Sequence, residues 1–273
     1  MIIKTLVEDT TISEDFECEH GLSLYIESGN NKLLFDLGQS DLFIKNARKM
    51  NVNINDIQNV VISHGHNDHG GGLEYFLNNN EKAKVYLNYL SFERYYAKRL
   101  NDKMEYIGLD SSLVGNPQIK LTHDNCEVAE NVWTFSNVIQ NHRLPISNNI
   151  LYVDYNDDKI HDLFYHEQNL VIKEDDKLVL FTGCSHNGIL NIIEHFEKKT
   201  GRMPDYVIGG FHLSSRTGGC ETEEYVQNLA KELLKTNAKF YTCHCTGKNA
   251  YKVLKEIMKD NIHYLSTGSE IEI

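Results

Sequence analysis

Three imidazoles and a carboxylate fall within six residues in the segment Ser63-His64-Gly65-His66-Asn67-Asp68-His69-Gly70-Gly71-Gly72. Imidazole suits zinc, iron and manganese-type ions, and a carboxylate adds charge compensation. Residues two apart in an extended segment share a face, so His64 and His66 can point at one ion. Asp68 and His69 follow at the turn into the next element and can face a second ion. The glycines let the chain turn tightly and approach a ligand closely. A polar surface loop with chance histidines is the bland alternative, and four ligand-type residues directly after an apolar strand argue against it.

The elements that must position these groups read clearly on either side. NVVIS (59–63) is a continuous apolar run, as in a strand buried on both faces. GGLEYFLNN after it reads as a helix and AKVYLN as a further strand. Upstream, IIKTLV, LSLYIES and KLLFDLG alternate as strands, with a hairpin turn at Ser28 to Asn31. SDLFIKNARKM is a short helix with Ser40 or Asp41 as its cap and Phe43, Ala47 and Met50 on one face. Residues 91–100 read as helix. From about 101 to 165 periodicity weakens and turn residues cluster at 110–112, 115–117, 148–149 and 156–158. This predicts an insertion of short strands and loops over one face of a single domain spanning 1–273.

Order returns with NLVIK and KLVLFTG, then a helix ILNIIEHFEKK stopped near Gly201, a strand DYVIGG and a helix capped by Thr222. KFYTC and the helix NAYKVLKEIMK close the chain. Strands that alternate with helices in both halves call for layered sheets flanked by helices.

Length and charge narrow the function. At 273 residues one large or two small domains fit, and 41% hydrophobic content is enough for a sizeable core. A formal charge of −12 argues against nucleic-acid backbone binding. A bound divalent cation can still attract an anionic substrate locally. No apolar run reaches the ~18–20 residues of a membrane helix, and the acidic N-terminus lacks a secretory apolar core. A cytoplasmic location is therefore expected. Six cysteines read as free thiols or metal ligands there, not as a disulfide framework.

His64-Gly-His66-Asn-Asp68-His69 is similar to the HxHxDH signature of the metallo-β-lactamase fold superfamily, and Phe35-Asp36-Leu37-Gly38 resembles its FDxG strand end. Further blocks resemble one branch, the 7,8-dihydropterin-6-methyl-4-(β-D-ribofuranosyl)aminobenzene-5′-phosphate synthase-like proteins. They are Glu19-His20-Gly21-Leu22-Ser23, Glu167-Gln168, Thr182-Gly183-Cys184-Ser185-His186, Gly209-Gly210-Phe211-His212-Leu213 and Cys243-His244-Cys245-Thr246-Gly247. The resemblance implies an α/β fold, a four-layer αββα sandwich, with two divalent metals at one edge between the sheets.

It also implies roles for distant residues. His244 takes the place of the superfamily's last histidine ligand. Cys184 stands where many members have an aspartate bridging two metals; a thiolate binds zinc, and a small packed residue at a tight turn is the alternative. His186 is the candidate to complete the first site. No histidine-glycine motif precedes NLVIK, where many members place a ligand. Glu167, in that region, is a ligand, an acceptor for an imidazole N–H, or a solvated side chain. Asp36 would orient a ligand histidine, and His20 would contact substrate. His212, beside two glycines at a strand end, suits a substrate contact or a general acid. Strand alternation would point the Cys243 and Cys245 sulfurs the same way, away from His244, leaving the thiols to core packing. His123, His142, His161, His195 and His263 form no constellation.

Two such ions, zinc by preference with manganese or iron as alternatives, would activate water on a small phosphorylated molecule, a phosphoester or phosphoanhydride. Asp68 and His212 would be catalytic. A pterin transferase releasing pyrophosphate is the second reading. A non-catalytic metal-binding or redox-sensing protein, with Cys184 as its reactive thiol, is the third. The 101–165 insertion would shape the pocket or a homodimer contact.

Overall fold

The first 35 residues fold as the alternation predicts. Strands Ile2–Val7, Ser23–Ser28 and Asn31–Phe35 pair antiparallel, with Leu24 opposite Phe35 and Ile26 opposite Leu33. This computed structural model describes residues 1–156, 158–215 and 217–273; Asp157, in the turn expected at 156–158, lies outside them. The meander continues into parallel strands Asn59–Val61, Lys84–Asn88 and Ile119–Thr122, and Glu270–Glu272 closes the far edge of this seven-stranded sheet. The second seven-stranded sheet runs in the order Ile262–Tyr264, Lys239–Thr242, Tyr206–Gly209, Lys177–Thr182, Asn169–Glu174, Val132–Phe135, Cys126–Ala129. Its first four strands are parallel neighbours, so their C-terminal ends reach one rim.

Three apolar layers hold the sheets. Ile26, Phe35, Val61, Leu170, Phe181 and Ile208 fill the space between them. Leu34, Val60 and Val85 face the other way, against Phe43 and Ala47 of helix Leu42–Lys49 and Phe76 of helix Leu73–Asn79. On the second sheet, Val171, Leu180, Val207 and Phe240 pack under helices Ile189–Thr200, Glu223–Lys235 and Lys248–Met258. Strands apolar on both faces therefore read as continuous runs. Each fully buried large side chain contributes roughly 1.5–3 kcal/mol. The result is the αββα sandwich.

The caps follow the sequence. The Ser40 hydroxyl accepts the Leu42 N–H, and the Thr222 hydroxyl accepts that of Tyr225. Gly201, in the left-handed region at φ 79°, ends its helix by returning its N–H to Glu197. Among the described residues no helix is long and apolar enough to cross a membrane.

Two expectations change. Residues 91–100 hold the strand Tyr95–Lys98, not a helix, because Leu151–Tyr155 pairs with it and buries Tyr95 and Ala97. The span 101–165 is also not one insertion over one face. Ile119–Thr122 joins the first large sheet, and Cys126–Ala129 and Val132–Phe135 join the second. The remainder, with Tyr95–Lys98, builds a separate four-stranded sheet in the order Asp158–His161, Leu151–Tyr155, Tyr95–Lys98, Met104–Tyr106.

Candidate metal centre

The expected site residues come from loops at strand ends on one rim. Asp36 follows Asn31–Phe35, Ser185 follows Lys177–Thr182, His212 follows Tyr206–Gly209 and His244 follows Lys239–Thr242. All four take left-handed backbone conformations, with φ of 61°, 60°, 51° and 49°. Such conformations are uncommon outside glycine and cluster where surrounding contacts enforce a functional turn.

His64, His66 and His186 form the first cluster, their donor atoms all within 4.8 Å of one another. The Nε2 atoms of His64 and His186 stand 3.3 Å apart. Their outer nitrogens are occupied: His64 Nδ1 lies 2.8 Å from Ser63 Oγ, and His186 Nδ1 lies 3.0 Å from Asn148 Oδ1. His66 Nε2 is buried without a hydrogen-bond partner among the described residues. Burial, then the neighbouring imidazoles, pushes His64 and His186 well below the usual histidine range. His66 is pushed down to about 3 by burial and by His166. These rings are neutral and offer lone pairs.

The second cluster centres on Asp68 Oδ2. His244 Nε2 and His20 Nε2 each lie 3.4 Å from it, and His69 Nε2 lies 3.7 Å away. Every outer nitrogen here meets a carboxylate. His69 Nδ1 is 2.6 Å from Asp36, His244 Nδ1 is 2.6 Å from Asp9, and His20 Nδ1 is 2.8 Å from Asp9. Asp36 also accepts the Ser63 N–H at 2.7 Å and the Ser63 hydroxyl at 2.8 Å, so one buried carboxylate fixes both ends of the histidine loop. Burial opposes the Asp68 charge, but His69, His244 and His20 outweigh it and hold its carboxyl well below the usual range.

Cys184 links the clusters, with its sulfur 3.1 Å from His69 Nε2. Burial pushes the Cys184 thiol up. His212 packs on His186 with ring centroids 4.2 Å apart, and neither of its ring nitrogens has a partner among the described residues. Glu167 is buried but faces no imidazole N–H. It accepts the His186 and Asn187 backbone N–H groups at 2.6 and 2.9 Å, with the Asn187 side-chain amide at 2.8 Å. That corrects its expected partner, because backbone donors take up both oxygens. Gln168, next to it, serves the other sheet: its amide donates to Ile62 and Tyr86 carbonyls at 2.7 and 3.1 Å. The Cys243 and Cys245 sulfurs do not point the same way. Cys243 fills the layer between the sheets, while Cys245 reaches the cleft, because His244–Thr246 is a 3-10 turn rather than strand.

Sequence reasoning missed Asp9, Asn148, Asp162 and His166. His166 Nδ1 accepts the Gly65 N–H at 2.8 Å, and its Nε2 lies 2.9 Å from Asp162. The only signal for Asp9 is an acidic pair at the end of the first strand. Its neighbour Glu8 accepts the His244 backbone N–H at 2.7 Å. The five remaining histidines lie away from the rim, as expected; His195 stacks on Phe135, and His142 pairs with Glu194 at 3.3 Å.

Both clusters open on a cleft of ≈ 450 Å³ lined also by Arg99, Glu105, Ser214, Ser215 and Thr217. The four-stranded sheet forms one wall, pinned to the histidine loop by the Asn67 N–H donating to the Ile107 carbonyl at 2.7 Å. A larger hollow of ≈ 940 Å³ lies around Trp133 and Lys199 and shares no lining residue with this cleft. The donor set fits divalent cations. Two nitrogens bound tetrahedrally at ~2.0–2.1 Å stand about 3.3 Å apart, the spacing of His64 and His186 Nε2. His66 offers a third ring nitrogen within 4.8 Å of both.

Comparison with known proteins bears on the fold and the family. The model of the metallo-β-lactamase superfamily matches residues 17–119. The crystal structure of Tm1679, a metal-dependent hydrolase of the β-lactamase superfamily, is similar over 100% of this chain and 99% of its own, with 30% identity and a TM-score of 0.85. The chain belongs to the metallo-β-lactamase superfamily. Two Methanocaldococcus jannaschii proteins also match this superfamily member along its length. One is a 7,8-dihydropterin-6-methyl-4-(β-D-ribofuranosyl)-aminobenzene-5′-phosphate synthase, 27% identical over 99% of this chain and 96% of its own. The other is an uncharacterised protein, 26% identical over 100% of both.

Proposed function

We propose that the protein is a hydrolase that holds two divalent cations, zinc by preference, and cleaves a small phosphoester or phosphoanhydride. One observation carries this reading. Two clusters of donors share the cleft floor, and the outer nitrogens of His64, His186, His69 and His244 are occupied, which turns their Nε2 atoms inward. His64, His66 and His186 would hold one ion; Asp68, His69 and His244 would hold the other, with Cys184 beside both. Such a pair would lower the pKa of bound water to about 7 and polarise a phosphoryl oxygen. Manganese or iron would suit most of the same ligands, but the Cys184 sulfur favours zinc.

The chain's own groups divide the remaining work. Asp68 stays ionised, so it orients an attacking water rather than storing its proton. His212, buried with both ring nitrogens unpartnered among the described residues, is placed to give a proton to the leaving oxygen. Arg99 and the hydroxyls of Ser214, Ser215 and Thr217 supply donors for phosphate oxygens. A buried Cys184 thiol, pushed up by burial, disfavours the sensor reading, which needs an accessible thiolate.

The test is a panel of phosphodiesters, phosphoanhydrides and lactones offered to metal-loaded protein. Turnover of a phosphorylated compound, lost in His212→Ala with both cations retained, is the expected outcome. Failure on the whole panel with both cations bound would overturn hydrolysis. The full-length likeness to the synthase favours one alternative, a pterin transferase. Pyrophosphate release that requires both a dihydropterin pyrophosphate and an arylamine ribose phosphate would select it.

A further inference from the structure

We propose that His20 is a ligand of the second cation, not a substrate contact, and that Asp9 is the shared outer carboxylate holding two ligand imidazoles. This rests on the reading that the cleft floor binds two cations. His20 and His244 occupy equivalent positions around that point. The two oxygens of Asp9 take one Nδ1 each, at 2.8 Å for His20 and 2.6 Å for His244. The two Nε2 atoms lie at the same 3.4 Å from Asp68 Oδ2, and the ring centroids are 4.7 Å apart.

The convergence of the ring nitrogens decides what that arrangement is for. An imidazole that donates its Nδ1 hydrogen to a carboxylate presents a lone pair at Nε2. His69 is held in the same way, with Nδ1 on Asp36 and Nε2 at 3.7 Å from Asp68 Oδ2. Three Nε2 atoms thus converge on one carboxylate oxygen, at 3.4, 3.4 and 3.7 Å, as donors do around a shared cation. One oxygen also cannot serve as a good acceptor for three imidazoles at these distances. Replacing His20 by a substrate-binding role leaves its close match to His244 unexplained.

Local backbone structure seats His20 there. Gly21 has φ 147°, and a Cβ on it would strike the Asp68 backbone carbonyl. The absent side chain lets the Leu22 N–H donate to that carbonyl at 3.2 Å, while the Leu22 carbonyl accepts the Gly38 N–H at 2.8 Å. The His20-Gly21-Leu22 segment is thus fastened to Asp68 itself. The Glu19-His20-Gly21 block, which the fold alone does not require, gains a purpose: Glu19 ties down Gln39 and Ser40, at 2.9 and 3.0 Å, on the other side of the same turn.

Cobalt(II) titration of metal-free protein tests this, reading equivalents bound and the visible spectrum of each equivalent. Wild type takes two equivalents. His20→Ala, at a side chain one-third exposed, keeps its circular dichroism and its first equivalent. Its second equivalent binds at least about tenfold more weakly with an altered d–d spectrum, as does that of His244→Ala. His20→Gln, which retains bulk, gives the same loss and guards against a folding defect in the alanine variant. If both His20 variants bind the second cobalt with wild-type affinity and spectrum and only KM rises, His20 is a substrate contact and the assignment is overturned. If wild type binds fewer than two cobalt ions, the two-cation reading itself fails and this assignment falls with it.

Discussion

Protonation at the rim is set by which residues face each imidazole. His64, His66 and His186 face one another and burial, and all three are pushed down, His66 to about 3. Burial also opposes charge on His69 and His244, but Asp36, Asp68 and Asp9 outweigh it and raise them. The signs then separate. A histidine lowered on folding leaves the unfolded chain holding more protons between its folded value and about 6.5, so stability is lost as pH falls through that window. For His66 alone, between pH 6.5 and about 3, the loss is on the order of 5 kcal/mol. His69 and His244 act oppositely: their contribution is full below about 6.5 and is lost as pH rises through their raised values. Metal-free protein should therefore show a urea midpoint that drops steeply as pH falls below 6.5. A midpoint unchanged from pH 7 to 5 would contradict these neutral, buried rings.

Loops at strand ends do the positioning, and they depend on close backbone approach. Gly183 is one such case, because a Cβ there would strike Ser63 Oγ and come within 3.2 Å of His64 Nδ1. Gly183→Ala should cost roughly 1–3 kcal/mol in denaturation midpoint, and should loosen the cation held by His64. Full stability with an unchanged zinc content would refute the contact. Most elements were legible from periodicity because each strand's two faces meet different apolar layers. The segment 91–100 misled because its helix-forming residues were overridden by pairing with Leu151–Tyr155. The Cys243–Cys245 alternation misled because a 3-10 turn replaces strand geometry there. Glu167 was found, but its backbone partners at His186 and Asn187 exist only once the second sheet has formed.

At the scale of the whole molecule, topology assembles what no local pattern could announce. His64 and His66 were visible as a motif, yet the Asp9 that holds His244 is separated from it by 235 residues. Only the parallel order of Lys177–Thr182, Tyr206–Gly209 and Lys239–Thr242 brings Cys184, His212 and His244 to the rim that the first sheet reaches with His64. The two sheets contribute to both clusters, so cations bound there would tie the halves together and stabilise only the folded state. At a free metal concentration a hundredfold above Kd, that linkage is worth about 2.7 kcal/mol per site. The most direct test of the central claim is anomalous scattering from crystals of protein grown with zinc. The account predicts two peaks at the cleft floor, one among His64, His66 and His186 and the other among Asp68, His69 and His244. Well-ordered crystals with zinc in the medium and no peak at either cluster would contradict it.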